Sequence, residues 1–181
     1  MKYTTSWLID RLRKGEIPKY LFFWGHQPSK SGEITASCFS QWWVSEFAED
    51  GISYKTAEHW MMAQKALLFD DQETFYKIIE AKTPGAVKAF GREVKNFENS
   101  VWEEKRFDIV VKGNFYKFSQ NPDLKEFLHN TNDRIIVEAS PVDNIWGIGL
   151  VADDEKARSP ETWQGLNLLG FALMEVRDML R

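Results

Sequence analysis

Apolar residues recur at helical spacing over most of this chain, and strand-like alternation is rare. Near the N-terminus, WLIDRLRKG predicts a short amphipathic helix ended by Gly15. The stretch from Tyr54 to Phe69, YKTAEHWMMAQKALLF, is apolar on almost every side. Thr56 is placed to cap it, and Glu58 falls in its first turn, where the positive helix end favours a carboxylate. Beyond it, DQETFYKIIEAK predicts a helix stopping before TPG, and Pro84 suits the start of the next, PGAVKAFGREV. SVWEEKRFDIVVKGNFYKFSQ carries a helical apolar pattern with Gly113 as a candidate interruption. NPDLKEFLHNT reads as a short helix with Asn121 as its N-cap, and Leu166 to Leu180 as a final helix with one leucine-rich face.

Strand signals are few. The aromatic run YLFF precedes turn residues Gly25, Pro28 and Gly32, and RIIVEAS is a β-branched run ended by Ser140 and Pro141. CFSQWWVSEFAEDGISY ends in a turn at EDG, and PVDNIWGIGLVADDEKARSP reads as a long irregular stretch. The sum predicts a mainly α fold, one multihelical domain over residues 1–181 with one or two short β-strands.

Composition narrows the function classes. The chain has 181 residues, enough for one substantial core, and a net charge of -4 with no basic run. Non-specific nucleic-acid binding therefore lacks its electrostatic footprint. No apolar stretch approaches the roughly 18 residues of a membrane span, and the charged N-terminus does not read as a signal peptide. The single cysteine, Cys38, excludes an internal disulfide and a four-cysteine zinc site. A cytoplasmic location is expected.

Within the apolar helix, Glu58, Met62, Lys65 and Phe69 share one narrow stripe at about 100° per residue. Charges held among apolar groups are usually paired or functional. His59 has no second histidine at ligand spacing, so no metal or other cofactor is expected. A second constellation, VEASPVDNIWGIGL, sets Asp143 and Trp146 on a loop after a strand, with Gly147 and Gly149 allowing close backbone approach. Asp143 is equally suited to capping its own turn. Asn167, at the entry to the last helix, reads by itself as a structural group. Arg92 and Asn114 offer contacts for a phosphate or a hydroxyl.

Taken together, YKTAEHWMMAQKA, GRE, KFSQNPDLKEFL, VEASPVDNIWGIGL and GLNLLGFALMEVR resemble the YbiA-like family of the NADAR superfamily, over about residues 22–177. The resemblance implies a multihelical fold with one active-site cleft and N-glycosidase activity on ribosylamino-pyrimidine phosphates, early intermediates of riboflavin synthesis. It implies Glu58, Lys65 and Asp143 as catalytic residues, with Lys65 able to form a Schiff base at ribose C1′. Trp24, Gly25, Arg92, Asn114, Trp146, Gly147 and Asn167 are the implied substrate contacts. Its implied partner is a small ribosylated, nucleobase-like molecule, with no membrane. Two alternatives accompany it. One is removal of ADP-ribose from guanine, which would make nucleic acid a partner, and the other is a non-catalytic ADP-ribose or NAD-related binding module. The chain reads ASPVD where some members of the family have H-T-E-N-D.

Overall fold

Side-chain caps start four of the seven helices, at Thr4, Thr56, Asp71 and Thr83, each accepting a hydrogen bond from a backbone N–H three residues on. Pro84 occupies the first turn after Thr83, as its sequence position predicts. The computed structural model describes all residues 1–181. They form a mainly α fold that divides into two compact units, Gln41–Asn121 and the pair of segments Met1–Ser40 and Pro122–Arg181.

In the unit Gln41–Asn121, strands β2 (Phe47–Glu49) and β3 (Ile52–Tyr54) pair antiparallel, with Phe47 opposite Tyr54. The EDG turn is thus the tip of a hairpin. Asp50 and Gly51 both adopt positive φ there (51° and 80°), the twist that two-residue hairpin loops favour. Helices α2 (Ala57–Leu68), α3 (Gln72–Glu80), α4 (Pro84–Arg92) and α5 (Asn99–Gln120) follow. The other three pack around α2. Its residues Ala57 to Ala63 and Ala66 are all buried, which explains the missing solvent face in its sequence.

Two glycines let the neighbours come this close. A Cβ added at Gly113 would fall inside the contact radius of the Trp60 indole, and one at Gly91 would strike the Met62 thioether. Helix α5 therefore runs unbroken through Gly113, where the pattern suggested an interruption. Trp60, fully buried, donates its indole N–H to Ile109 O at 2.8 Å and meets Tyr54 and Tyr116 edge-to-face. Asn121 stands directly before Pro122, the first residue of the next helix. It ends α5, and its amide donates to Lys117 O (2.8 Å) and Glu46 O (3.1 Å).

In the other unit, α1 (Thr5–Arg13) precedes β1 (Tyr20–Phe23), and α6 (Pro122–His129) precedes β4 (Ile135–Glu138). The two strands pair parallel, Tyr20 opposite Ile135 through Phe23 opposite Glu138. The chain thus has four short strands in two small sheets. Helix α7 (Leu168–Met179) starts two residues later than its leucine pattern suggested and packs on β4. Gly170 approaches Ile136 O so closely that no Cβ would fit. No helix is long and apolar enough to cross a membrane.

Gly113→Ala sets two effects against each other. Alanine favours a helix interior by about 1 kcal/mol over glycine. Overpacking a tight core costs about 1–3 kcal/mol, and the indole it would strike is fully buried and tethered. The overpacking wins, so this variant is expected to unfold at lower urea concentration than the parent, with an unchanged m-value.

Candidate active site

Glu58 sits in the first turn of α2 with 4% of its surface exposed. Its backbone N–H, one of the unsatisfied donors of a helix start, is taken by Gln41 O at 2.9 Å. Its carboxylate thus lies in the positive field of the helix terminus, inside the protein. His59 beside it is spent on structure. Its ring lies 2.8 Å from Thr56 Oγ1 at Nδ1 and 3.2 Å from Ala81 O at Nε2. A carbonyl partner requires the proton on Nε2, so Nδ1 accepts from the threonine hydroxyl. Burial lowers the pKa of this imidazole and keeps it neutral.

Lys65 lies two turns on, half-buried. Its Nζ donates to Gly91 O at 2.6 Å and stands over the Phe97 ring at 4.1 Å and the Trp102 ring at 5.7 Å. The carbonyl belongs to the last turn of α4, where helix C=O groups lack partners and attract cations. Phe69, from the same stripe, meets Phe97 edge-to-face at 5.2 Å, while Met62 packs on Gly91. Desolvation lowers the Lys65 pKa from its ordinary 10.5. The lysine is therefore an amine in an aromatic setting, hydrogen-bonded to a neutral carbonyl. Arg92, the next residue after Gly91, is exposed.

Helix α5 supplies a polar pair to the same unit. Asn114, fully buried, donates to Gln41 Oε1 and to Val110 O, both at 2.9 Å. Its own Oδ1 and the Nε2 of Gln41 are buried without hydrogen-bond partners, one open acceptor and one open donor. One turn later, Lys117 is also fully buried. Sequence reasoning passed over both Gln41 and Lys117. A signal for Lys117 was present: with Asn114 it continues the stripe of Phe107 and Val110, so a lysine stands where the helix is otherwise apolar.

The remaining candidates belong to the unit of β1 and β4 and follow the carboxyl ends of those strands. Trp24 is 58% exposed just after β1, and Gly25 turns the chain with φ at 81°. After β4, Asp143 Oδ1 accepts from Ile145 N (2.9 Å) and Trp146 N (2.7 Å), so this carboxylate does cap its own turn. Trp146 is half-buried beside it. A Cβ on Gly147 would lie 2.9 Å from Glu138 O and 3.0 Å from Asp143 O, so the residue serves a tight backbone crossing.

Asn167 holds this loop to the strand. Its backbone is left-handed (φ 52°, ψ 34°) and its side chain is fully buried. Oδ1 accepts from Glu138 N (2.9 Å), Nδ2 donates to Ile136 O (3.0 Å), and its own N–H donates to Gly147 O (3.0 Å). The next amides of α7 donate to Ile145 O and Trp146 O. Both ends of the Asn167 amide are engaged with β4, so its place in the structure is that of a brace under the Asp143–Gly147 loop rather than an open contact for substrate.

Comparisons with known proteins identify the family. The NADAR domain family matches residues 22–181, and the chain belongs to that family. It is 45% identical to N-glycosidase R617 of Acanthamoeba polyphaga mimivirus over 168 residues, covering 90% of this chain and 97% of that protein. It is 32% identical over 136 residues to the maize chloroplastic riboflavin biosynthesis protein PYRR, covering 71% of this chain and 20% of that one. The NMR structure of the E. coli protein YbiA superposes with a TM-score of 0.69 at 25% identity, covering 91% of this chain and 86% of that chain.

Asn167 gives a direct check on the brace. Asn167→Gly keeps the left-handed backbone but loses two buried hydrogen bonds, a cost of about 1–3 kcal/mol. Asn167→Ala adds about 1 kcal/mol of backbone strain at the same φ. Urea unfolding should therefore rank the parent above Asn167→Gly and Asn167→Gly above Asn167→Ala.

Proposed function

We infer that this chain is an N-glycosidase that hydrolyses the bond between ribose C1′ and nitrogen. The observation that carries the reading is its 45% identity to N-glycosidase R617 along 97% of that protein. The substrate we assign is a ribosylamino-pyrimidine 5′-phosphate. The match to a relative named for riboflavin biosynthesis supports that choice.

The half-buried amine of Lys65 supports a covalent route. A ribosylamine opens to an imine at C1′. The unprotonated Lys65 amine adds to that carbon, and the C1′–N bond to the pyrimidine breaks as the leaving nitrogen takes a proton, leaving a lysine imine. Water then adds to C1′ and the C–Nζ bond breaks, regenerating the amine and freeing ribose 5-phosphate. Desolvation favours this step because it raises the unprotonated fraction of Lys65 at a given pH. Glu58 carries protons to and from nitrogen and water. The open acceptor of Asn114 and open donor of Gln41 match a single ribose hydroxyl, which both donates and accepts. Exposed Arg92 suits the 5′-phosphate. For Asp143 as a proton carrier, and Trp24 and Trp146 as stacking faces, the support is the family resemblance.

Release of free pyrimidine from the ribosylamino-pyrimidine phosphate should be lost in Lys65→Ala and fall by about 100-fold or more in Glu58→Gln, with both variants folded by circular dichroism. Borohydride added during turnover should leave one reduced ribose adduct on Lys65, seen by mass spectrometry. Full turnover by both variants would refute the assigned roles. ADP-ribosylated guanine DNA is the comparison substrate in the same assay.

The pH profile follows from the direction of the Lys65 shift. Its pKa in the folded protein lies below 10.5, so kcat/KM should rise with pH as the amine loses its proton, with the limb centred below 10.5. In the interval between the folded value and 10.5 the unfolded chain binds more protons at this site. Stability should accordingly rise with pH there, and Lys65→Met should remove that rise.

A further inference from the structure

A cavity of about 960 Å³ lies at the amino-terminal edge of the β1–β4 sheet, within the unit Met1–Ser40 and Pro122–Arg181. The loops carrying Trp24 and Asp143 leave the opposite, carboxyl ends of the same two strands. Four cations, Arg11, Lys19, Arg134 and Arg158, line the cavity, against one carboxylate, Asp133. In a chain with a net charge of -4, this concentration of positive charge runs against the average composition.

The fold itself sets the cations there. Lys19 and Arg134 immediately precede the paired residues Tyr20 and Ile135, and Ile135 N donates to Lys19 O at 2.8 Å, so strand pairing fixes both at one edge. Arg158 arrives at the end of a short 3-10 turn, Glu155–Arg158. Local ion pairs account for only part of the charge. Arg11 is held by Glu16 at 2.6 Å, and Asp133 is itself engaged by Arg181 at 3.2 Å. Arg134 donates only to the Asn130 carbonyl, and Lys19 and Arg158 make no ion pair. Tyr20 also lines the cavity, but its hydroxyl is enclosed by protein rather than exposed to the cavity.

Several cations and a cavity large enough for a small molecule form a receptor for an oxyanion of high charge. We propose that this cavity is a second ligand site, made of none of the residues assigned to hydrolysis, and that it binds a phosphate-bearing anion of at least two negative charges through Lys19, Arg134 and Arg158. It goes beyond the N-glycosidase reading and does not depend on it.

Calorimetric titration of the full chain with inorganic pyrophosphate and with ADP tests the site. Saturable binding below about 1 mM is expected, weakening as salt rises. Binding of pyrophosphate alone assigns the site to inorganic polyphosphates, and binding that requires ADP assigns it to nucleotides. Lys19→Ala with Arg158→Ala removes two exposed cations and should weaken binding on the order of a hundredfold, about tenfold for each. No saturable binding of either anion overturns the proposal. So does an affinity that persists unchanged in the double variant, since such binding belongs elsewhere on the protein. The two readings separate cleanly: the double variant should retain hydrolysis, and Lys65→Ala should retain anion binding.

Discussion

The unit Gln41–Asn121 depends on one constraint, the burial of α2 on nearly every side. A helix so enclosed needs neighbours at close range, and side chains set that range. Gly91 and Gly113 remove the side chains that would hold α4 and α5 away from Met62 and Trp60. Two consequences follow. The indole N–H of Trp60 reaches the α5 backbone, and the Gly91 carbonyl at the end of α4 comes within hydrogen-bond range of Lys65. The same close packing that makes the core dense thus gives a charged side chain its only polar partner short of water. The candidate nucleophile and the tightest packing in this unit have a common origin.

A comparable economy governs the β4–α7 pairing. Parallel strands of four residues make few ladder bonds, and the edge of β4 would leave buried amides and carbonyls unsatisfied. Asn167 meets both needs with one side chain, donating to Ile136 O and accepting from Glu138 N. To reach them its backbone adopts the left-handed region, which asparagine tolerates better than most residues. The first amides of α7 are then satisfied by carbonyls of the Asp143–Gly147 loop, so the loop and the helix start stabilise each other. An irregular loop gains a fixed geometry from the regular elements on either side of it.

The distribution of charge follows a related logic. Buried polar groups here mostly have a named backbone partner: His59 has Ala81 O, Lys65 has Gly91 O, Arg177 has Arg134 O. Where an atom of such a group has no partner, as at Gln41 Nε2, Asn114 Oδ1 and the Tyr20 hydroxyl, the unmet hydrogen bond costs on the order of 1–3 kcal/mol.

Local rules made much of this legible from the sequence alone. The cap at Thr56, Pro84 at a helix start, the β-branched run of β4 and the all-round apolar face of α2 each follow from interactions within a few residues. The family was legible in another way, by the resemblance of motifs such as Tyr54–Ala66 and Val137–Leu150 to those of known members. What the sequence could not supply were partners distant along the chain. Gly113 looked like a helix breaker until Trp60 filled the space its missing Cβ left, and EDG looked like a bare turn until Phe47 found Tyr54. Lys117 passed unnoticed because burial is decided by what packs against a helix face. The Asn167 brace joins groups 29 and 31 positions apart, and the cation-lined cavity joins residues of far greater separation, brought together when β1 and β4 pair. Periodicity determined which elements form; three-dimensional contact alone decided which polar groups they would leave open.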